Sequence, residues 1–253
     1  MVIKILSKEV LEDIRLSLNS IFYSVQGEGK YLGIPTLFFR FNTCNLTCNY
    51  CDTEFEDNTI EDIKIMTALI KNYITEYPIK QICFTGGEPL LFLKEIKNIM
   101  FLIHMLRYNV YDVKVETNGT IPLPETIPFA NRTIYTISPK LEYFDKIYGK
   151  FKKPPVNTDL KEVIFKFMVE TDAYIFKKTL NKIYLFLSRF MLSAYNIYFS
   201  PINESTDIND ILESYRRVYD NLNNNFNHKL ITSIYMDNFK GITFQLHKLL
   251  EWK

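Results

Sequence analysis

The sequence contains no long apolar run. Nowhere in its 253 residues is there a stretch of about 18 uninterrupted apolar residues, the length that a membrane-spanning helix needs. Near the amino terminus the apolar residues are interrupted by Lys4, Lys8, Glu9 and Asp13, which is not the pattern of a secretion signal. We therefore expect a cytoplasmic protein that does not bind a membrane.

The chain also lacks an excess of charge of either sign. It has 30 Lys and Arg residues against 29 Asp and Glu residues, which gives a formal net charge of +1. This balance does not indicate electrostatic capture of nucleic acid, so we expect a small-molecule partner instead. Internal repeats and low-complexity tails are absent, and a hydrophobic content of 47% at this length indicates one domain over residues 1–253.

Cysteine is scarce, and its distribution is uneven. Three of the 4 cysteines, Cys44, Cys48 and Cys51, fall within one short segment. In a reducing compartment such a group indicates metal or cluster ligation rather than disulfide formation. The fourth, Cys83, stands between Ile82 and Phe84 in an apolar, strand-like segment, so we expect it to be a buried core residue.

The three grouped cysteines suit an iron–sulfur cluster better than zinc. A closed 4Fe–4S cluster takes four cysteines, one per iron, so three thiolates leave one iron free to chelate a ligand. A structural zinc site usually takes four ligands, in paired motifs or with histidines nearby. His104 falls in a predicted helix and His228 in a polar loop, so zinc is only the alternative interpretation.

Segments of strand character alternate with segments of helical periodicity. The predicted strands are Thr36–Asn42, Gln81–Thr85, Val113–Thr117, Thr133–Ser138, Val163–Val169 and Asn196–Ser200. Helices are predicted over Ile63–Ile74, Leu91–Leu106 and Ile208–Leu222, the last with Asp207 as its N-cap, and Asn221–Asn227 is predicted as a loop. This alternation favours an α/β fold with a mostly parallel sheet, either open or a partial (β/α) barrel.

Every distinctive motif follows a predicted strand. The Cys44 loop follows the first strand, and the next three are followed by Gly86-Gly87-Glu88-Pro89, Glu116-Thr117-Asn118-Gly119 and Ser138-Pro139-Lys140. In a parallel sheet these strand ends share one face, where such folds place active sites. Two glycines let a backbone approach a ligand closely, although an ordinary turn before a helix explains them equally well.

The combined pattern resembles the radical SAM superfamily. The resemblance rests on the C-x3-C-x2-C spacing from Cys44 to Cys51, on the aromatic Tyr50, and on the motif that begins at Gly86. It implies a partial (β/α)6 barrel with terminal extensions, and a 4Fe–4S cluster on the three cysteines whose open iron binds S-adenosylmethionine (SAM). In that superfamily, reductive cleavage of SAM gives a 5′-deoxyadenosyl radical, and an aromatic such as Tyr50 flanks the adenine.

Flanking motifs narrow the resemblance to one family. The chain is similar to the 7-carboxy-7-deazaguanine synthase family of the queuosine precursor pathway at Ser24–Gly29, Arg40, Cys51-Asp52-Thr53, Ser138-Pro139-Lys140 and Gln245-Leu246-His247-Lys248. This resemblance implies a lyase that contracts the ring of 6-carboxy-5,6,7,8-tetrahydropterin to 7-carboxy-7-deazaguanine with loss of ammonia. The radical would abstract the hydrogen at C6, and SAM would be regenerated.

The resemblance also implies the site residues, position by position. The substrate pocket corresponds to Val25, Gln26, Gly27, Glu28, Arg40 and Thr85, the SAM contacts to Tyr50, Gly87, Glu116, Ser138, Lys140 and Ser200, and the Mg²⁺ ligand to Thr53. A carboxylate such as Glu28 can accept from the guanidine-like edge of a pterin, and Arg40 can clamp a carboxylate in a bidentate fork. Ser200 departs from the glutamine expected before Pro201, and the role of His247 stays open.

Other interpretations are compatible with single motifs. Glu28 alone is an ordinary loop acid, Arg40 a strand residue paired with an acid, and Cys51-Asp52-Thr53 a turn. The cysteine motif alone also suits an activase of glycyl radical enzymes, or a non-catalytic zinc or iron–sulfur module. The resemblance further implies an electron donor such as flavodoxin or ferredoxin, and a homodimer.

Overall fold

The computed structural model describes residues 18–51, 63–106, 111–143, 145–148, 162–190, 196–203, 205, 207–225, 239–243 and 245. Within them lie eight strands: β1 (Leu18–Val25), β2 (Pro35–Phe41), β3 (Gln81–Gly86), β4 (Asp112–Thr117), β5 (Arg132–Ile137), β6 (Val163–Val169), β7 (Asn196–Pro201) and β8 (Phe239–Ile242). Four α-helices accompany them: α1 (Ile63–Glu76), α2 (Leu93–Met105), α3 (Ala173–Phe190) and α4 (Ile208–Asn224).

The strands form one sheet in which the spatial order follows the chain from β1 to β8. β1 is antiparallel to β2, and all later neighbours are parallel. Among the described residues β1 and β8 do not pair with each other, so the sheet is an unclosed barrel. The predicted α/β fold is confirmed: the six predicted strands are β2 to β7, and β1 and β8 extend the sheet at its two edges.

The helix predictions are partly confirmed. α1 and α4 lie where periodicity placed them, and Asp207 caps α4 by accepting from the backbone N–H groups of Asn209 at 2.8 Å and Asp210 at 3.3 Å. α2 is preceded by a short 3-10 turn over Pro89–Phe92. The loop predicted from Asn221 is wrong at its start, because α4 continues to Asn224 and the buried Asn221 donates from Nδ2 to the carbonyl of Thr171 at 2.9 Å.

The two faces of the sheet differ in polarity, because successive strand residues point to opposite sides. The outer face carries apolar side chains such as Val113, Val115 and Phe167, which join the helices in one hydrophobic core. The inner face carries Lys114 and Glu116 on β4, and Lys166 on β6, a strand that is otherwise apolar. This inner face forms the polar interior of the barrel.

The helices of this fold are too short or too polar for a bilayer. Within the part of the chain that the structure describes, no helix combines the length and the apolar character that a membrane span requires.

Candidate active site

The predicted motifs do meet at one edge of the sheet. The Cys44 loop follows β2, Gly87 and Glu88 follow β3, Asn118 follows β4, and Ser138 follows β5. These four strands are mutually parallel neighbours. Their carboxyl ends therefore form a common face, as the sequence predicted.

The two glycines after β3 fit tightly against the chain that enters the cysteine loop. A Cβ atom on Gly87 would lie 1.9 Å from the carbonyl oxygen of Thr43, and one on Gly86 would lie 2.5 Å from backbone atoms of Phe41. The amide N–H of Gly87 donates to the carbonyl of Phe41 at 3.0 Å, and that of Glu88 donates to the carbonyl of Thr43 at 2.8 Å. The glycines are thus required by the protein's own backbone, and a contact of Gly87 with SAM stays a prediction.

Glu88 is a buried residue that ties β3 to β4. Its carboxylate accepts from Thr117 Oγ1 at 2.7 Å and from the backbone N–H groups of Asn118 at 2.8 Å and Leu90 at 3.0 Å. Burial raises the pKa of this carboxyl, and the three hydrogen bonds oppose that rise. Glu88 was not predicted as a site residue, although its place beside two glycines could have indicated a role.

The cysteine loop is attached to the end of β4 through side-chain amides. Asn118 Nδ2 lies 3.8 Å from Cys44 Sγ and donates to Asn45 Oδ1 at 3.0 Å. The backbone N–H of Leu46 lies 3.5 Å from the same sulfur, and Cys51 N donates to the carbonyl of Cys48 at 3.2 Å. The loop thus presents its first sulfur to two N–H donors.

The donor set fits a cluster rather than a single metal ion. Cys44, Cys48 and Cys51 are free thiols, and none of them is buried, whereas Cys83 is buried, as predicted. Among the described residues, no three His, Cys, Asp or Glu side chains are grouped closely enough to hold one metal ion. Three thiols spread along one loop, with N–H donors beside a sulfur, suit a cluster that takes one thiolate per iron.

Three of the predicted SAM contacts lie together beside this loop. Lys140 Nζ lies 3.4 Å from Ser138 Oγ and 5.5 Å from the centroid of the Tyr50 ring. The hydroxyl of Tyr148 accepts from the Lys140 backbone N–H at 3.0 Å and donates to the Asn118 carbonyl at 2.7 Å, which fixes this strand end against β4. Their contact with SAM is a prediction that this grouping supports.

Ser200 and Glu116 lie apart from that group, on the inner face. Ser200 Oγ is buried and has no hydrogen-bond partner in the described part of the chain. Glu116 accepts from Thr85 Oγ1 at 2.8 Å and pairs with Lys114 at 2.8 Å, so the structure groups it with the predicted substrate pocket. A contact of either residue with SAM stays a prediction.

Glu116 is held in its ionised form. Burial alone would raise its pKa, but the ammonium groups of Lys114 and Lys166 and the hydrogen bonds from Lys114 and Thr85 outweigh burial and lower the pKa to about 2. The carboxylate therefore serves as an acceptor at neutral pH. Lys114 and Lys166 were not predicted as site residues, although a single lysine in an otherwise apolar strand, as at Lys166, is a signal for one.

The predicted substrate residues reach the inner face from opposite ends of the strands. Val25 pairs with Pro35, so the loop that begins at Gln26 and contains Gly27 and Glu28 lies at the amino-terminal end of β2. The side chain of Gln26 accepts from the backbone N–H of Glu28 at 3.2 Å and donates to Glu116 at 3.4 Å. Gln26 thereby connects the loop to the inner face of β4.

Glu28 lies inside the barrel and not in solvent. Its side chain pairs with Lys166 through Oε2 and accepts at Oε1 from Gln245 Nε2 at 3.2 Å. The prediction of a pocket residue is compatible with this burial, which the alternative of a solvated loop acid does not explain. Gln245 belongs to the Gln245-Leu246-His247-Lys248 motif, but its contact with Glu28 was not predicted.

Arg40 lies at the other end of this inner face. Its guanidinium stacks 5.0 Å from the ring centroid of Phe22, and its Cα pairs with that of Thr85 on β3. Over the described ranges, no carboxylate lies within ion-pair distance of Arg40, so the alternative of a strand residue paired with an acid finds no support there. Thr53 and His247 lie outside the described residues.

The chain matches the radical SAM superfamily over residues 39–167. A 7-carboxy-7-deazaguanine synthase from Clostridium acetobutylicum is 35% identical over 189 residues, which cover 72% of this chain and 79% of that protein. The same enzyme from Rickettsia prowazekii is 31% identical over 245 residues, covering 93% of this chain and 88% of the relative. A match to the Bacteroides thetaiotaomicron enzyme, at 41% identity, spans only 60% of that protein.

The solved structure of QueE from Escherichia coli shares the fold. It covers 94% of this chain and 96% of its own, with a TM-score of 0.58 and 18% sequence identity. The long matches to 7-carboxy-7-deazaguanine synthases do not favour the two alternatives, an activase of glycyl radical enzymes and a non-catalytic module. The chain belongs to the 7-carboxy-7-deazaguanine synthase family of radical SAM enzymes.

Proposed function

We propose that this protein converts 6-carboxy-5,6,7,8-tetrahydropterin to 7-carboxy-7-deazaguanine with loss of ammonia. The observation that carries the proposal is the polar interior of the barrel, where Arg40 and the buried Glu28 occupy different ends. Among the described residues, no carboxylate lies within ion-pair distance of Arg40. A pterin carboxylate suits the guanidinium of Arg40, and the guanidine-like edge of the same molecule suits Glu28. The product of this reaction is the compound for which the relatives are named.

Membership of the superfamily implies a 4Fe–4S cluster and SAM. Cys44, Cys48 and Cys51 would hold the cluster, with Tyr50, Ser138 and Lys140 beside it for SAM. When bound, these groups supply the 5′-deoxyadenosyl radical. The residues of the chain then have to bind the substrate, orient it and exclude water from it.

The inner-face residues are suited to binding and orienting the substrate. Thr85 donates its hydroxyl proton to Glu116, so the lone pairs of the hydroxyl are left to accept from an N–H group of a substrate. Lys114 balances the charge of Glu116 inside the barrel and helps to keep the carboxylate ionised. Arg40, stacked on Phe22, is oriented before any anion arrives.

We further propose that Mg²⁺ takes part and that Thr53 is one of its ligands. An oxygen donor two residues beyond the last cluster cysteine, together with waters and a substrate carboxylate, is a common kind of magnesium site. Thr53→Ala should change the Mg²⁺ dependence of turnover while cluster content stays constant. An unchanged dependence would remove Thr53 from the metal site.

The partners are also part of the proposal. We infer one domain over residues 1–253, a homodimer, and an electron donor of the flavodoxin or ferredoxin type. Reduction of the reconstituted protein by either donor, compared with a chemical reductant, tests the last point. Light scattering of the same preparation tests the dimer.

The decisive experiment is anaerobic turnover by the reconstituted protein with SAM, Mg²⁺ and a reductant. Carboxytetrahydropterin should be consumed, and carboxydeazaguanine should accumulate with unchanged SAM, as followed by mass spectrometry. Clean cleavage of SAM without the deazapurine would leave the superfamily assignment intact and overturn the proposed substrate.

A further inference from the structure

Two contacts join the unpaired edges of the sheet. The backbone N–H of Gly29, in the loop that follows β1, donates to Thr243 Oγ1 at 2.5 Å, directly after β8. Two residues further on, Gln245 Nε2 donates to Glu28 Oε1 at 3.2 Å. Side chains from the carboxy-terminal segment thus connect the two edges at a point where the strands themselves do not pair.

Gln245 is itself held from a third direction. Its backbone N–H donates to the hydroxyl of Tyr215 on α4 at 2.7 Å, and only 5% of its surface is exposed. Its side-chain amide therefore has a defined position inside the barrel. It reaches Glu28 from α4 and the β8 edge, whereas Lys166 reaches the other oxygen from β6.

The two donors together restrict Glu28 to one orientation. Each carboxylate oxygen has two lone pairs, so a donor on Oε1 and another on Oε2 leave acceptor capacity on both atoms. Gln245 is neutral, so it orients the carboxylate without cancelling its charge. A carboxylate that is fixed before the ligand arrives loses less entropy when it binds.

We propose that Gln245 is a positioning residue that sets the specificity of the pocket for a guanidine-like ligand edge, by fixing the carboxylate of Glu28. This inference rests on the proposed function, in which Glu28 accepts from the pterin edge. If the contact between Gln245 and Glu28 were only structural, its loss would not change the selectivity of the pocket. A positioning role predicts that its loss reduces discrimination between ligands that differ at the guanidine-like edge.

The test uses the reconstituted protein and two ligands of equal size. 6-Carboxypterin has an amino group at the edge in question, and 6-carboxylumazine has an oxygen there. Gln245→Met removes the amide donor and keeps the side-chain length. Asn223→Ala, on the exposed part of α4, is the matched control.

We expect the wild-type protein and the control to prefer the pterin by about tenfold or more, measured as equilibrium binding. Gln245→Met should weaken pterin binding by about tenfold and lumazine binding much less, so that the preference narrows. KM for the tetrahydropterin should rise more than kcat falls. Gln245→Asn, whose side chain is too short to reach Glu28, should show the same reduced preference for the pterin. This second variant replaces Gln245→Met in the test if the Met variant does not fold.

Unchanged discrimination in a folded variant, or tighter pterin binding because Gln245 competes with the ligand, would overturn the inference while wild-type turnover upheld the proposed function. If the wild-type protein neither bound nor converted a pterin, the proposed function would fail, and this inference with it.

Discussion

Asn118 and Cys44 lie 74 positions apart in the chain, yet Asn118 Nδ2 is 3.8 Å from Cys44 Sγ. The position of Asn118 is set by Glu88, which accepts from its backbone N–H at 2.8 Å, and by the hydroxyl of Tyr148, which donates to its carbonyl at 2.7 Å. The end of β4 thereby orients the first residue of the proposed cluster site.

Asn118→Ala should make the reduction potential of the reconstituted cluster more negative. An N–H donor beside a ligating sulfur stabilises the reduced, more negative cluster, so removing the donor favours the oxidised form. A redox titration followed by electron paramagnetic resonance measures the change. Thr120→Ser keeps the hydroxyl that contacts Asn118 and should leave the potential unchanged. Equal potentials in wild type and Asn118→Ala would show that the amide does not affect the cluster.

Gly87→Ala should abolish iron incorporation or greatly reduce it. The added methyl group would lie 1.9 Å from the carbonyl oxygen of Thr43, so the chain entering the cysteine loop must move. Gly33→Ala is the control without a clash, because no atom lies within 4 Å of its added Cβ. Gly33 has a positive φ, of 85°, which Gly87 does not, so this control carries backbone strain and should still incorporate iron. Iron and sulfide content per chain measures the result, and normal content in Gly87→Ala would contradict the close packing at this strand end.

Arg40→Ala should raise KM for the pterin about tenfold or more and leave cluster content and uncoupled SAM cleavage intact. Arg40→Lys should recover only part of the loss, since an ammonium cannot form the bidentate fork. Phe22→Leu removes the ring under the guanidinium and should have a smaller effect in the same direction. Steady-state kinetics at subsaturating substrate concentrations measures KM for the pterin in each variant. An unchanged KM in Arg40→Ala would mean that another residue binds the substrate carboxylate.

Glu116→Gln should flatten part of the dependence of stability on pH. The pKa of Glu116 is about 2 in the folded protein, below its ordinary value, so its stabilising contribution is present above the unfolded pKa and is lost as pH falls toward the folded pKa. The full contribution is on the order of 3 kcal/mol in the free energy of unfolding.

Urea unfolding of the cluster-free protein between about pH 6 and about pH 3 tests this prediction. The stability difference between wild type and Glu116→Gln should shrink as the pH is lowered. Glu125→Gln, at an exposed position, is the control and should follow the wild type. A difference that stayed constant over this range would mean that Glu116 is not held ionised by its neighbours.

The strand predictions succeeded because burial on a parallel sheet leaves a local signal. Val163–Val169 is apolar at every position except Lys166, and the β6 bounds match the prediction residue for residue. β1, α3 and β8 were not predicted. β8 contains only four residues with a glycine among them, so it has no strong local pattern. α3 does have an amphipathic pattern, with lysines between its apolar positions, which could have indicated a helix.

The sequence by itself determined the cysteine spacing, the glycines after β3, and the alternation that places both at one edge of a parallel sheet. Those features depend on neighbours along the chain. Only the tertiary structure decided that Glu88 joins two strand ends, that Glu116 groups with Thr85 and Lys114, and that Gln245 reaches Glu28. Except for the local pair of Lys114 and Glu116, these contacts join residues that are 29 to 217 positions apart in the chain. Contacts over such separations depend on strand order and register, and a local sequence pattern contains no information on either.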